Sequence, residues 1–260
     1  MYSSACLGII DWGIGGIGLV RALDRVAPGL PVLYWSDAGA TPYGRMGTDE
    51  LAARLTTVVT TLADRGASEV VLACNAASTV VGRLGAAPIP VEGIISHGVA
   101  SVPDDIASVG VVGGRRTIAG GHYRRGLSRS DRVVLSRVAQ PLSAHIEAGR
   151  TGSPQFVADL ARIVAPLRGV DALVLACTHY PAASRWFAAA LPDTLLIDPA
   201  ERMAAAIAAR YPRITGERFG SRVFLTTGDP HAMRLGAARA WDFALTATAT
   251  ATTPEARLAA

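Results

Sequence analysis

The chain contains no lysine, so all 25 of its basic residues are arginine. A pyridoxal phosphate enzyme holds its cofactor as a Schiff base on a lysine amine, and a P-loop enzyme places a lysine on the nucleotide phosphates. The sequence therefore excludes both mechanisms. We expect a protein that works without a cofactor.

Cysteine is also scarce, with three residues in the chain, Cys6, Cys74 and Cys177. Their number is odd, and no two are close enough in sequence to indicate a disulfide framework or a zinc knuckle. We therefore expect reduced thiols and no metal site.

Long apolar runs and strong charge are missing as well. No apolar run reaches the roughly 18 to 20 residues that cross a bilayer, and the N-terminal segment lacks a basic region ahead of its short apolar stretch. The net charge of +4 comes from scattered arginines. The densest pairs, Arg115-Arg116 and Arg124-Arg125, are not interleaved with aromatic residues as a nucleic-acid surface would be. We expect a cytoplasmic protein with no membrane partner and no nucleic-acid partner.

Half of the residues are hydrophobic, which is enough for a substantial core. The length of 260 residues allows one large domain or two domains of about 130 residues each. Short apolar runs such as CLGIID, PVLYWS and EVVLAC alternate with segments of helical period such as GGIGLVRALDRVA. This alternation predicts an α/β fold with mostly parallel sheets flanked by helices.

One pattern occurs twice, as EVVLACNAAS at 69–78 and as DALVLACTHYP at 171–181. Each copy has an acidic residue, an apolar strand, Ala-Cys and then a polar residue that opens a helix. Chance similarity between two Val- and Leu-rich strands is the alternative. The repeat favours two similar lobes facing each other across a cleft, each with a cysteine at the carboxyl end of a strand, where open α/β sheets bind ligands.

The repeat also sets the expected lobe boundaries. We assign residues 1–95 and 200–245 to the first lobe and residues 96–199 to the second. The late strand SRVFLTTG and the helix after it are expected to return to the first lobe. The last stretch, 246–260, is low in complexity and is predicted to be a flexible tail.

A cysteine between a strand end and a helix N-terminus lies where backbone N–H groups and the helix dipole favour a thiolate. Cys74 and Cys177 both occupy that position, although a single cysteine there would more often be buried and inert. Two equivalent cysteines favour chemistry. His179 is close enough in sequence to reach the Cys177 thiol or a substrate, with a helix-capping or surface histidine as the alternative. Cys6 is expected in the core.

Asp11 ends the first predicted strand, and a glycine-rich turn, Trp12-Gly13-Ile14-Gly15-Gly16, leads from it into a helix. Such a turn lets backbone amides approach an anionic ligand. As a dinucleotide fingerprint this turn is a weak signal. Asp11 is therefore a candidate functional carboxylate, with a simple helix cap as the alternative.

Seven motifs in order along the chain carry a family resemblance: IIDWGIGGIGLVRAL, TPYGR, VVLACNAAS, GGRRTIAGGHY, HIEAG, LVLACTHYP and FLTTGDP. On these, the chain resembles the glutamate racemases of the cofactor-independent aspartate/glutamate racemase superfamily. The resemblance implies an isomerase in which Cys74 and Cys177 act on opposite faces of the carbon α to a carboxylate. It further implies that Asp11 assists Cys74, and that His179 with Glu147 assists Cys177.

The resemblance also implies which residues hold the substrate, an amino acid or related carboxylate. These are Trp12, Pro42, Tyr43, Gly44, Asn75, Ala76, Gly114, Thr117 and Thr178. It implies a homodimer as well, and it leaves cell-wall peptidoglycan synthesis or a specialised pathway as the role.

Three of these positions depart from the family pattern. Trp12 stands where serine is usual, and Ala76 and Gly114 stand where threonine is usual. Each lost hydrogen bond to a carboxylate costs about 1.5 to 3 kcal/mol, so glutamate binding is weakened unless something compensates. Arg115 and Arg116 could compensate, but two exposed arginines at a helix start are the more typical interpretation.

The departures leave the substrate open. A racemase for another amino acid, or one with broader specificity than glutamate, is the first hypothesis. A hydantoin racemase, which would suit an apolar Trp12, is the alternative within the superfamily. A catalytically silent relative that binds a metabolite or a protein, and a thiol redox protein, are hypotheses from other classes.

Overall fold

The computed structural model describes residues 6–211, 220–246 and 248–252. They form two parallel β-sheets covered by helices. One sheet has six strands, in the spatial order 248–250, 222–226, 32–36, 7–11, 69–72 and 91–93, and the other has four, in the order 133–138, 108–113, 172–176 and 195–197. The first sheet draws its strands from 7–93 and 222–250, and the second from 108–197. The predicted α/β class with two lobes of parallel sheet is confirmed.

The strands and helices have the following bounds. The strands are β1 (Leu7–Asp11), β2 (Val32–Ser36), β3 (Glu69–Leu72), β4 (Val91–Gly93), β5 (Ser108–Gly113), β6 (Val133–Val138), β7 (Ala172–Ala176), β8 (Leu195–Ile197), β9 (Arg222–Thr226) and β10 (Thr248–Thr250). The helices are α1 (Ile17–Val26), α2 (Thr48–Asp64), α3 (Asn75–Ser78), α4 (Ile94–Ala100), α5 (Arg115–Ala119), α6 (His122–Leu127), α7 (Gln140–Glu147), α8 (Pro154–Val164), α9 (Ser184–Ala190), α10 (Pro199–Arg210) and α11 (Pro230–Trp241).

The central strands are buried on both faces, which is why they read as continuous apolar runs. All five residues of β1 and all five of β7 are buried. Ile9 and Ile10 of β1 belong to different core clusters, one on each face of the sheet, as the alternation of strand side chains requires. None of the helices in the described part of the chain has both the length and the apolar character of a membrane span.

Three helices begin with the same local device, a capping side chain followed by proline. Ser153 accepts a hydrogen bond from Phe156 N at 3.2 Å before α8. Asp198 and Asp229 accept equivalent bonds from the second residue of α10 and of α11, at 2.9 and 2.8 Å. Since proline lacks an N–H and has a helical φ angle, it fits the first helical position. These caps fix the starts of α8, α10 and α11.

The expectation of a flexible tail is wrong for the residues after 246 that the structure describes. Thr248–Thr250 form β10, which pairs in parallel with β9. Ala251 is 3% exposed and belongs to the core cluster below the sheet, and its N–H donates to Thr226 O at 2.7 Å. The threonine-rich repeat suits a strand once β9 offers a free edge. The rest of the predicted tail lies outside the described residues.

The burial of Ala251 predicts that a charged residue at this position destabilises the folded chain, and the exposed Ala249 offers a matched control. The substitution Ala251→Asp buries a carboxyl group without a partner, and we expect it to lower the free energy of unfolding by about 3 kcal/mol. Ala249→Asp places the same carboxyl on the exposed neighbour and is expected to change stability by less than about 0.5 kcal/mol. Urea unfolding of the two variants measures both values. Equal stabilities would show that β10 contributes nothing to the folded chain.

Candidate active site

The carboxyl ends of β1, β3, β5 and β7 meet around a cavity of about 400 Å³. This volume lies in the range of small-molecule sites. All the site residues predicted from the sequence line this cavity, although their chemical roles stay predictions. They are Asp11, Trp12, Pro42, Tyr43, Gly44, Cys74, Asn75, Ala76, Gly114, Thr117, Glu147, Cys177, Thr178 and His179.

Cys74 follows β3 and caps the short helix α3. Burial raises the pKa of its thiol well above the ordinary value, the charge of Asp11 raises it further, and the backbone N–H groups of Ala77 and Ala76 lower it by less. Burial therefore opposes the thiolate that this helix start favours, because the thiol loses hydration in the folded chain.

Asp11 ends β1 and is fully buried. Its Oδ1 accepts a hydrogen bond from Gly13 N at 3.1 Å, while its Oδ2 has no partner among the described residues. Burial raises the pKa of this carboxyl, and the positive charge of His179 opposes the shift. A buried carboxylate oxygen without a partner is costly and can accept a hydrogen bond from a bound ammonium or thiol.

Cys177 follows β7 and has a different partner set. Its Sγ lies 3.9 Å from Nδ1 of His179, whose Nε2 lies 2.5 Å from Oε2 of Glu147. Burial lowers the pKa of His179, but its bonds with Cys177 and Glu147 outweigh burial and raise the pKa well above the ordinary value. For Glu147, burial raises the pKa, and the bond to His179 outweighs it so that the net shift is downward. His179 and Glu147 therefore form an imidazolium–carboxylate pair at neutral pH.

The glycine-rich turn after Asp11 lets the second lobe approach this closely. A Cβ at Gly13 would lie 2.7 Å from Oε2 of Glu147, and a Cβ at Gly15 would lie 2.7 Å from Nδ1 of His179 and clash with Thr178. The N–H of Ile14 in the same turn donates to Oε2 of Glu147 at 3.4 Å. The turn thus serves to seat the His179–Glu147 pair against β1.

The loop that carries Pro42, Tyr43 and Gly44 is held by a buried carboxylate. Asp37 accepts two hydrogen bonds from Arg54, at 2.9 and 2.6 Å, and one from the Tyr43 hydroxyl at 3.0 Å. Burial raises the pKa of Asp37, but the Arg54 guanidinium outweighs burial and the net shift is downward. The backbone of this side of the cavity is therefore fixed before any ligand binds.

Polar and apolar walls of the cavity differ. Asn75 Oδ1 accepts a hydrogen bond from the Tyr123 hydroxyl at 2.7 Å, which directs the Asn75 amide. On the apolar side, Trp12 and Ala76 pack with Cys74 against one core cluster, and the indole N–H of Trp12 donates to Ala40 O at 3.0 Å. Because its N–H is already paired, Trp12 offers the cavity a carbon surface.

The interpretation of Arg115 and Arg116 as two exposed arginines is wrong for Arg116. Its side chain is half-buried and lines the cavity, with Nε donating to Tyr43 O at 3.2 Å and a terminal N–H donating to Met46 O. Arg115 is exposed, and its backbone N–H donates to Gln140 Oε1 at 3.1 Å. Arg116 thereby joins α5 of the second lobe to the loop of the first lobe that carries Tyr43 and Met46.

Several residues of the cavity wall were not predicted from the sequence. These are Arg45, Gln140, Ser143, Ala144, Ala148 and Ala176. Four of them lie on or directly after α7 at helical spacing with Glu147, while Leu142 and Ile146 on the other face are buried in the core. Once Glu147 was placed at the site, the period of α7 could have identified its neighbours.

Metal ligands and free thiols define which chemistry the cavity can support. Among the described residues, no cluster of three or more His, Cys, Asp and Glu side chains is arranged to hold a metal ion. Cys6, Cys74 and Cys177 are all free thiols. The reactive groups of the cavity are thus two thiols, an imidazolium–carboxylate pair and a buried carboxyl.

Comparisons with known proteins agree with this geometry. The Asp/Glu/Hydantoin racemase family matches residues 7–207. A glutamate racemase of Desulforudis audaxviator is 32% identical over 203 residues, which cover 75% of this chain and 74% of that protein. A glutamate racemase of Roseiflexus is 35% identical over 252 residues, 88% of this chain and 89% of that protein. The crystal structure of glutamate racemase RacE1 from Bacillus anthracis has a TM-score of 0.88 at 23% identity, covering 97% of this chain and 99% of that one.

The chain belongs to the Asp/Glu/hydantoin racemase family. Its relatives over most of its length are isomerases, and the chain is an enzyme of the racemase class.

Proposed function

We propose that this chain is a cofactor-independent racemase that inverts the carbon α to a carboxylate, with Cys74 and Cys177 as acid and base on opposite faces. The observation that carries the proposal is the pairing of two strand-end thiols in one cavity, each with its own acid–base partner. A structural cysteine needs no such partner. Two of them around a shared cavity indicate proton transfer from two sides.

The chemistry requires a strong base and a dry site, since an α-proton is very weakly acidic. A Cys177 thiolate beside the His179 imidazolium would take the α-proton, and the electron pair of the broken C–H bond would pass into the carboxylate. The protonated Cys74 thiol would then return a proton to the opposite face. The two sulfurs end with their protonation states exchanged, ready for the reverse reaction.

Substrate binding follows from the same wall residues. In this proposal Asn75 and Thr178, beside the two cysteines, hold the α-carboxylate, and the open oxygen of Asp11 accepts from an α-ammonium. Backbone N–H groups at the α3 start add positive potential where charge develops in the transition state. These contacts recognise the α-carboxylate and α-ammonium groups that every α-amino acid has. Selection for a particular substrate side chain therefore depends on other residues of the cavity.

The substrate need not be glutamate alone. Trp12, Ala76 and Gly114 offer no hydroxyl to a distal carboxylate, and the Trp12 indole widens the apolar wall. This wall also favours the second candidate, a hydantoin racemase, whose ring substrate has no free α-carboxylate or ammonium. An enzyme for hydantoins would leave the open oxygen of Asp11 without a charged ligand.

Proton NMR in D2O under reducing conditions tests the proposal. We expect loss of the α-proton signal from L- and D-amino acids in a panel that includes glutamate, aspartate and glutamine. Exchange confined to substituted hydantoins would move the assignment to the second candidate. No exchange with any carbon acid, together with ligand binding measured by calorimetry, would support a silent binding relative and overturn the proposal.

The setting of the enzyme is part of the proposal. Two free catalytic thiols require a reducing compartment, which supports the cytoplasm. Glutamate racemases among its relatives support a role in supplying D-amino acid for peptidoglycan. The edge strand β6 exposes Val133 and Leu135, an apolar surface that a second copy could cover, so we propose a homodimer. Sedimentation equilibrium measures the mass in solution and tests this association.

A further inference from the structure

One face of α7 forms a continuous wall of the cavity. Gln140, Ser143, Ala144 and Glu147 lie on this face, at the spacing of successive helical turns, and all line the cavity. Glu147 marks the end at which His179 and Cys177 lie. Gln140 lies seven residues earlier, which is about 10 Å along the helix axis. Gln140 therefore stands at the end of the cavity remote from the proton-transfer groups.

One hydrogen bond, from the backbone of α5, orients the Gln140 amide. Oε1 accepts a hydrogen bond from the backbone N–H of Arg115 at 3.1 Å, so the oxygen is the atom turned toward α5. The Nε2 group makes no hydrogen bond to another described residue, and its two N–H donors are open. The amide thus presents donors and keeps its acceptor occupied.

Two glycines make room for this side chain. A Cβ at Gly114 would lie 3.2 Å from Oε1 of Gln140, and a Cβ at Gly44 would lie 3.9 Å from it. A larger residue at Gly114 would crowd the amide out of its position. Gln140 therefore occupies the space between the first-lobe loop that carries Gly44 and the start of α5.

Two arginines also lie near this end of the cavity. Arg116 donates to the backbone carbonyls of Tyr43 and Met46, whereas Arg45 and Gln140 are both exposed side chains at the rim. Gln140 is thus a neutral donor placed where the distal end of a bound amino acid would reach. A neutral N–H donor pairs with a carboxylate oxygen and with a carboxamide oxygen, and it offers nothing to an alkyl chain.

We propose that Gln140 is a specificity-determining residue that donates from Nε2 to a side-chain carboxylate or carboxamide oxygen of the substrate. This inference rests on the proposed racemase function and names the substrate class of the same site. It explains how the site can recognise a polar side chain although Trp12, Ala76 and Gly114 carry no hydroxyl.

The test compares L-glutamate, L-glutamine and L-norvaline as probes of α-proton exchange in D2O. We expect Gln140→Ala to raise KM about five- to tenfold for glutamate and glutamine with kcat unchanged, and to leave norvaline unaffected. Gln140→Glu is expected to raise KM for glutamate more than for glutamine, because the new carboxylate repels a carboxylate. Gln155→Ala, the same change at an exposed glutamine on α8, is the control and should match the wild type.

The outcomes distinguish a wrong role for Gln140 from a wrong racemase function. If the wild type exchanges glutamate or glutamine and the Gln140 variants change all three probes equally, or none, the inference is wrong and the racemase function stands. If the wild type exchanges only norvaline, the class assigned here is wrong. If it exchanges none of the three, the inference is wrong, and the wider panel of amino acids decides separately whether the proposed function stands.

Discussion

Replacing Cys74 or Cys177 by alanine is expected to slow racemisation by about 10²- to 10⁴-fold, the range of a positioned general acid or base. Inversion needs a base on one face and an acid on the other, so Cys74→Ala and Cys177→Ala should each be nearly inactive. Combining the two substitutions should add little, since the thiols act as a unit. Circular dichroism of the amino acid during turnover measures the rate.

The control is the third cysteine. Cys6→Ala removes a thiol that lies outside the cavity, before β1, and the rate should stay within about twofold of the wild type. Near-normal racemisation by either the Cys74 or the Cys177 variant would contradict a two-thiol mechanism.

The second large effect is expected for His179→Asn, which should lower kcat by about 10²- to 10³-fold. The substitution removes the imidazolium 3.9 Å from the Cys177 sulfur and leaves the Glu147 carboxylate without its charged partner. The pH profile should change as well. In the wild type the raised pKa of His179 and the lowered pKa of Glu147 keep the pair charged through neutral pH, so activity should be flat there.

In the variant, Glu147 loses the group that lowers its pKa, and burial then dominates and raises it. Activity should therefore vary with pH in a range where the wild type is constant. His145→Asn is the matched control, because His145 pairs with Asp159 at 3.3 Å outside the cavity. Equal losses in the two histidine variants would indicate damage to α7 rather than to proton transfer.

Much of this site could be predicted from the sequence, because strand ends carry it. The alternation of apolar strands and amphipathic helices places Asp11, Cys74 and Cys177 at carboxyl ends of parallel strands, which share one edge of each sheet. The repeat around the two cysteines then indicates two facing lobes. Neither step needs knowledge of which side chains touch.

The remaining features depend on how the lobes approach each other. Arg116 donates across the cleft to the carbonyls of Tyr43 and Met46, and Gln140 borders the space at Gly44 of the other lobe. No local sequence pattern records such contacts. The raised pKa of Cys74 depends on its burial beside Asp11, which opposes the local helix start that the sequence shows. Burial and partner charges are tertiary properties.

Two short strands could not be predicted from the sequence for a related reason. β4 is three residues long and β10 is three residues long, so neither has room for a readable alternation. β10 forms because β9 leaves an edge free and because Ala251 fits a core cluster. Its sequence alone resembled a tail.

The central claim is that the two thiols work on opposite faces of one carbon, and α-proton exchange in the single-cysteine variants tests it most directly. Each variant is incubated in D2O with each separate enantiomer of the amino acid that the wild type turns over fastest. A lone thiol can remove the proton from its own face and return deuterium there, so Cys74→Ala and Cys177→Ala should exchange opposite enantiomers without inverting either. Exchange of the same enantiomer by both variants, or of both enantiomers by one variant at similar rates, would contradict the account.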